Sequence, residues 1–325
     1  MTSVLVLGAA GMVGRKLTER LVQQPRLRGA DISKLSLVDV IMPQAPADPS
    51  FAVEMEAGDF SSPGMAERLI SERPDVIFHL AAIVSGEAEA DYDKGYTINL
   101  DGTRKLFEAI RHAGDHYRPR VVFTSSIAVF GAPFPDTIPD DFHLTPLTSY
   151  GTQKAIGEML LSDLTRRGIL DGVGIRLPTI VVRPGKPNKA ASSFFSGIIR
   201  EPLNGEEAVL PVGEDVLHWM ASPRAAVGFL IHAAELDGNA IGARRNLTMP
   251  GLAVSVAEEL ETLRRIGGEA RLRLIRHEPD ETIAGIVAGW PRRFDTARAE
   301  GLGFTADASF EAIVRAYIED EGIAL

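Results

Sequence analysis

The chain contains no cysteine among its 325 residues. Disulfides, thiolate nucleophiles and thiolate-ligated metals are therefore excluded. Positive charge is also short: Lys and Arg total 34 against 44 Asp and Glu, for a net charge of −10 and a sequence pI near 5.3. That balance argues against nucleic acid or an anionic membrane as partner. No apolar run reaches the ~18 residues of a membrane span. Met1-Thr2-Ser3 leads into an apolar strand without a basic leader or cleavage site, which predicts a cytoplasmic protein. The seven histidines are scattered, and the one tight pair, His112 and His116, has no third ligand in view. No metal site is expected. There is no internal repeat and no low-complexity tract.

What remains is an ordinary globular composition, 45% hydrophobic and 24% charged. The length exceeds the ~250–300 residues at which one core stops growing, so two lobes are expected. Apolar runs at Val4–Leu7, Leu35–Asp39, Phe51–Ala57, Val76–Leu80, Arg120–Ser125 and Val173–Leu177 alternate with helical periods. This rhythm predicts a Rossmann-type α/β fold, a doubly wound parallel sheet covered on both faces. It breaks after residue 178. A loop at Arg183–Asn188, a short helix at Phe194–Ile199 and a turn at Glu201–Gly205 open a mixed region. Strands at Val209–Val212 and Leu272–Ile275 and helices at Arg224–Ala234, Ala257–Ile266 and Phe310–Tyr317 follow. The expected organisation is a first domain over 1–178 that holds this sheet and a smaller C-terminal α/β lobe over 179–325, some of whose segments return to the first domain.

The first strand runs into a turn with glycines at 8, 11 and 14, followed by an amphipathic helix carrying Val13, Leu17 and Leu21. Gly8 permits the tight turn and Gly11 allows backbone N–H groups to approach a pyrophosphate. Gly14 lets the helix lie close on the strand, and the positive helix N-terminus faces the phosphates. Asp39 ends the second apolar run, where a carboxylate accepts both ribose hydroxyls of the adenosine half. A 2′-phosphate would meet like charge there, so the site favours NAD over NADP.

Tyr150 and Lys154 stand at i and i+4 of a helical stretch, so phenol and ammonium share a face. A phenol ionises near ~10. A lysine cation, with the positive nicotinamide of NAD⁺, favours the phenolate and suits Tyr150 to take a proton from a substrate hydroxyl. Lys154 is also placed to bond the nicotinamide ribose. Ser126 ends the fifth apolar strand, at the sheet edge where ligands bind in such folds. Its hydroxyl is suited to hold the oxygen that Tyr150 deprotonates.

The glycine trio, Asp39, Gly58-Asp59-Phe60, His79-Leu80-Ala81-Ala82, Asn99-Leu100-Asp101-Gly102-Thr103, the Ser126 strand and Tyr150-x-x-x-Lys154 together resemble the extended short-chain dehydrogenase/reductases in order and spacing. The C-terminal Arg293–Arg298 and Leu302-Gly303-Phe304 resemble that family's closing signature. The resemblance implies NAD as cofactor, held by Gly8, Gly11, Met12, Val13, Gly14, Asp39, Asp59, Phe60, Leu80, Ala81, Ala82, Tyr150, Lys154, Pro178 and Thr179. Asp59 would bond the adenine amine, and Pro178 and Thr179 would pass beside the nicotinamide carboxamide. Ser126, Tyr150, Lys154 and Asn99 would be catalytic, Asn99 holding active-site backbone or a relay water. It also implies a homodimer through the helices around Asn99–His112 and Tyr150–Arg166.

The family includes nucleotide-sugar epimerases and dehydratases as well as small-molecule dehydrogenases. Three features bear on the choice. Ser85-Gly86-Glu87 follows the fourth strand and faces substrate in this family. Arg183, Lys186 and Lys189 form a cationic loop that suits a carboxylate. His218 stands where nucleotide-sugar enzymes carry a diphosphate-binding arginine. The segment Leu177–Arg224 resembles small-acid-oxidising members, which implies oxidation of a four-carbon sugar acid at its C2 hydroxyl. Ser85, Ser126, Tyr150 and Arg183 would hold that substrate. A nucleotide-sugar epimerase or dehydratase, an L-threonine-oxidising enzyme and a non-catalytic NAD sensor are the alternatives.

Overall fold

A computed structural model describes residues 1–185 and 191–325. Seven parallel strands form the main sheet: β1 (Thr2–Leu7), β2 (Ala30–Asp39), β3 (Ala52–Ala57), β4 (Val76–His79), β5 (Arg120–Ser126), β6 (Asp171–Leu177) and β7 (Asn246–Thr248). Their spatial order is 3-2-1-4-5-6-7. The two-residue segment Arg26–Leu27 adds an antiparallel eighth strand against β2.

The apolar strands are continuous because both faces are covered. In β1, Val4 and Val6 pack on one face with Leu17 and Leu21 of helix α1 (Met12–Gln23) and with Phe229 and Leu230 of the helix Pro223–Glu235. Leu5 and Leu7 pack on the other face with Leu106, Phe107 and Ile110 of α2 (Thr103–His112) and Leu161 of α3 (Ser149–Arg166). All four β1 side chains are at most 2% exposed. Burial of each contributes about 2 kcal/mol. By contrast β3 is the parallel edge and is largely exposed.

The second region has its own core, in which Val181, Phe195, Ile198, Met220, Leu263, Phe310 and Val314 meet. It carries a three-stranded sheet of Thr179–Ile180, Leu217–Ala221 and Leu252–Ser255, and a parallel pair, Ala208–Leu210 with Ile275–His277. The chain returns to the main sheet in Pro223–Glu235 and in β7, and again at Ala299 and Phe304, which join the core of β1.

Three local expectations change. The second strand begins at Ala30 instead of Leu35, since Ile32 and Lys34 still pair with β1 although the stretch is not continuously apolar. The helix expected to end at Ile199 runs Ser193–Leu203, with Pro202 in its last turn, and the chain turns only at Asn204-Gly205. Leu272 is helical: within Val256–Leu272 two helices meet at Gly268, whose φ of 78° is not helical, and the following strand is Ile275–His277. Among the described residues no helix is long and apolar enough to cross a membrane.

Candidate active site

The glycine turn lies at the carboxyl end of β1, where the strand order reverses and α/β sheets open a crevice. Gly8 has φ +89°, and a Cβ there would sit 2.7 Å from Ala81 N. A Cβ on Gly14 would be 2.2 Å from Gly8 O. Both glycines are demanded by the protein's own packing. Gly11 differs: a Cβ there would meet only Gly8 O, at 3.4 Å. Gly11 also caps α1 without a side-chain hydrogen bond, and the first turn carries no acid. The N–H groups of that turn are thus left for an outside anion, as a pyrophosphate requires. The residues present fit a dinucleotide.

Met12 and Val13 open α1 half-buried. Asp39 Oδ2 accepts from Ala10 N at 2.9 Å and Oδ1 from Val40 N at 2.7 Å. One carboxylate both braces the glycine turn and faces the crevice edge, each oxygen keeping a lone pair. Asp59 Oδ1 accepts from Ser61 N and Oγ at 2.8 and 2.7 Å. Phe60 is buried edge-on against His79, 5.2 Å between centroids. Leu80, Ala81 and Ala82 leave β4 half-buried beside Gly8, and Leu80 N donates to Leu7 O.

Helix α3 brings Tyr150 and Lys154 to the end of β5. It approaches closely because Gly151 faces backbone: a Cβ there would lie 2.2 Å from Ala128 O, and one on Gly157 2.7 Å from the Phe123 ring. Thr148 Oγ1 accepts from Gly151 N and caps the helix. Tyr150 stands near enough to the Ser126 hydroxyl for that hydroxyl to favour the phenolate. Ser126 Oγ also accepts from Ala128 N at 3.1 Å. Lys154 Nζ donates to Thr124 O at 2.8 Å and lies 5.8 Å from the Tyr150 ring centroid.

The electrostatics differ from the simple tyrosine–lysine expectation. Burial pushes the Tyr150 phenol up to about 12, and the groups that oppose this are Arg183 and the Ser126 hydroxyl. Lys154 is itself driven down to about 8 by burial, against the pull of Glu158. The protein cation acting on the phenol is therefore Arg183, a residue expected only to bind substrate.

Arg183 is held from several sides. Its Nε donates to Ile180 O at 2.9 Å, and its NH2 group reaches Ser192 Oγ at 3.3 Å. Its backbone is fixed by Ser196 Oγ on N and Arg200 on O. It is a largely buried guanidinium, not a solvated loop cation. Lys186 and Lys189 lie outside the described residues. Ser85 opens the helix Ser85–Ala90, half-buried, with no hydrogen bond to Tyr150.

Asn99 is buried in a π-helical turn, Tyr96–Gly102. Its Oδ1 accepts from Ile83 N at 2.9 Å, and Nδ2 donates to Ile83 O and to Gln153 Oε1 at 3.2 and 2.8 Å. It pins the loop after β4 to the helix that carries Lys154. Pro178 is buried and Thr179 half-buried just beyond β6, and Thr179 Oγ1 lies 2.6 Å from His218 Nε2.

One supporting network was not read from the sequence. Arg176 in β6 pairs with buried Glu158 of α3 through Nε and NH2 at 2.8–3.2 Å, and Glu158 accepts from Ser125 Oγ at 2.5 Å. Arg176 also donates to Asp140 O, and Arg298 holds Asp140 Oδ2 at 2.8 Å. The signal was available: an arginine inside an otherwise apolar strand must have a buried partner.

Comparison with known proteins places this geometry among relatives. A family model described as NAD dependent epimerase/dehydratase matches residues 4–237. A D-erythronate dehydrogenase of Cupriavidus necator is 47% identical over 326 residues, covering 99% of each chain. One of Haemophilus influenzae is 43% identical, covering 97% of this chain and 98% of its own. A crystal structure from Agrobacterium tumefaciens, described as a nucleoside-diphosphate-sugar epimerase, has 62% identity and a TM-score of 0.97, over 99% of this chain and 95% of its own. An L-threonine 3-dehydrogenase of Trypanosoma brucei shares the fold, at 24% identity and a TM-score of 0.84, over 98% and 97% of the two chains.

Proposed function

The chain belongs to the NAD dependent epimerase/dehydratase family, and from that membership we propose that it oxidises the C2 hydroxyl of a four-carbon sugar acid, D-erythronate to 2-dehydro-D-erythronate. The observation that carries this reading is Arg183, half-buried and held by Ile180 O and Ser192 Oγ, near enough to Tyr150 to favour the phenolate as the Ser126 hydroxyl does. A guanidinium beside a hydroxyl-binding pair suits a 2-hydroxy acid, whose carboxylate is adjacent to the reacting carbon. The relatives named D-erythronate dehydrogenase support the same substrate.

The cofactor we assign is NAD, held by the glycine turn from Gly8 to Gly14, with Met12 and Val13, and by Asp39, Asp59, Phe60, Leu80, Ala81, Ala82, Pro178 and Thr179. When bound, it supplies the acceptor for the hydride that leaves C2. Ser126 orients the substrate hydroxyl and Tyr150 takes its proton, leaving a C2 carbonyl. Lys154 holds the nicotinamide ribose. Arg183 fixes the carboxylate, and Ser85 borders the far side of the substrate. Asn99 keeps the backbone around them in register. The protein acts as a homodimer through α2 and α3, a reading supported by Met159, 60% exposed on α3.

A second reading has an observation in its favour: the 62% identical structure is described as a nucleoside-diphosphate-sugar epimerase. One experiment separates the two. The purified protein is given NAD⁺ with D-erythronate, its stereoisomers, L-threonine and UDP-glucose, and NADH formation is followed. Turnover of D-erythronate that falls by about 10³-fold or more in Tyr150→Phe is the expected result. Tight NAD⁺ binding without net NADH from any acid, together with interconversion of a nucleotide sugar, would establish the epimerase reading instead.

A further inference from the structure

Gln153 stands one residue before Lys154, yet it is fully buried, and the reaction as drawn gives it no task. Its side-chain oxygen is told from its nitrogen by the contacts around it. The Asn99 amide faces both backbone groups of Ile83. The N–H of Ile83 can only meet Oδ1, at 2.9 Å, and the carbonyl can only meet Nδ2, at 3.2 Å. Nδ2 then lies 2.8 Å from the end of Gln153, so the atom it meets there is the acceptor Oε1. Gln153 Nε2 is left as a buried donor with no hydrogen-bond partner among the described residues. It lies over Gly95, where a Cβ would come within 2.7 Å of it.

An unpaired buried donor is costly, and Met or Leu would fill the same space without one. The position therefore needs the oxygen. What the oxygen does follows from where the chain of bonds runs. Gln153 belongs to α3, between Tyr150 and Lys154. Ile83 belongs to the loop leaving β4, two residues beyond Ala81, whose backbone N lies against Gly8. Asn99 joins the two, and its own carbonyl accepts from Thr103 Oγ1 at 2.7 Å, at the start of α2. Both N–H groups of the Asn99 amide are committed, which leaves none for a relay water.

We propose that Gln153 is a positioning residue: by taking the second N–H of Asn99, it locks the loop beside the glycine turn to the helix that presents Tyr150 and Lys154. The inference rests on the reading of Tyr150 and Lys154 as the reacting pair. Its loss should fall on the chemical step, because the group assigned to the substrate carboxylate, Arg183, belongs to a different segment.

The test uses the full chain. Gln153→Met keeps length and bulk but removes the oxygen. Gln153→Glu keeps an acceptor oxygen and gives up only the unpaired NH₂, and Asn99→Ala removes the amide between. Titration calorimetry with NAD⁺ gives the fraction of competent sites, to which each kcat is referred. Gln153→Met should lower kcat for D-erythronate oxidation by about tenfold, as a small misplacement of reacting groups does, with KM for the acid within about twofold. Gln153→Glu should retain most of the activity. In the Asn99→Ala background, Gln153→Met should have no further effect. Hydrogen exchange, followed by mass spectrometry on peptides covering Leu80–Val84, should speed up in Gln153→Met and not in Gln153→Glu, since the Ile83 N–H loses its fixed acceptor. Unchanged kcat or unchanged exchange in Gln153→Met, equal losses in the Met and Glu variants, or multiplicative losses with Asn99→Ala would each overturn the proposal. If the wild-type protein leaves D-erythronate untouched, the substrate reading fails, and the exchange comparison of the Met and Glu variants alone decides the Gln153 link.

Discussion

The phenol of Tyr150 sets a quantitative problem. At pH 8, a group at about 12 is ionised in roughly one molecule in 10⁴, a deficit of about 5 kcal/mol at 1.36 kcal/mol per unit. The like estimate for a unit positive charge about 5 Å away, at an effective dielectric near 20, is about 3 kcal/mol or a hundredfold. The nicotinamide cation therefore recovers more than half of the deficit, and Arg183 already contributes in its absence. The Tyr150 titration should thus move about two pH units lower when NAD⁺ binds. In Arg183→Gln it should stand higher than in the wild type, with or without NAD⁺. The assay is ultraviolet difference titration of the phenolate without substrate, with the Tyr150→Phe curve subtracted to remove the other four tyrosines. Omitting substrate separates this effect from any role of Arg183 in holding a carboxylate. A Tyr150 titration that ignores both NAD⁺ and the Arg183 substitution would refute the electrostatic argument.

Four further outcomes follow from the geometry. Gly11→Ala should leave the melting temperature nearly unchanged, since the new Cβ meets little, yet weaken NAD⁺ binding by tenfold or more. Gly14→Ala, 2.2 Å from Gly8 O, should destabilise the fold itself, and thermal melts with and without NAD⁺ distinguish the two. Glu259 is buried without a hydrogen-bond partner, and burial raises its carboxyl well above the ordinary value. Stability tied to its retained proton is complete below the unfolded value near 4.5 and is lost as pH rises toward the folded one. Glu259→Gln should therefore be the more stable protein at pH 8, and its advantage in denaturant melts should shrink toward pH 4; a constant gap would contradict the assignment. Arg176→Met strands the buried Glu158 carboxylate and should cost about 3–5 kcal/mol in urea unfolding, most of it recovered by adding Glu158→Leu.

Much of the site was legible because its chemistry is local. The glycine turn, Asp39 and the Tyr150–Lys154 pair depend on spacings of a few residues, and Ser126 on the end of one apolar strand. The parallel sheet covered on both faces followed from alternating strands and helices. The contacts that were not legible join distant segments: Arg176 with Glu158, His218 with Thr179, and Arg183 with Tyr150. A polar side chain in an apolar run signals that a buried partner exists without saying which one. The helix through Pro202 was missed for a different reason, since a proline near a helix end forfeits only one hydrogen bond. The strand from Ala30 was missed because half of its side chains are polar or exposed.

The brace behind Ser126 has a consequence in time. From Ser125 it passes through Glu158, Arg176 and Asp140 to Arg298, which also grips the carbonyls of Ile241, Arg244 and Asn246. Synthesis runs from the N-terminus, and early segments begin to fold before later ones exist. The strand bearing the hydroxyl is made long before the arginine that locks its support. A nascent chain can thus carry every reacting group and still lack the finished pocket. A stop codon or a protease cut a short way before residue 298 would abolish turnover while deleting none of the groups that touch substrate.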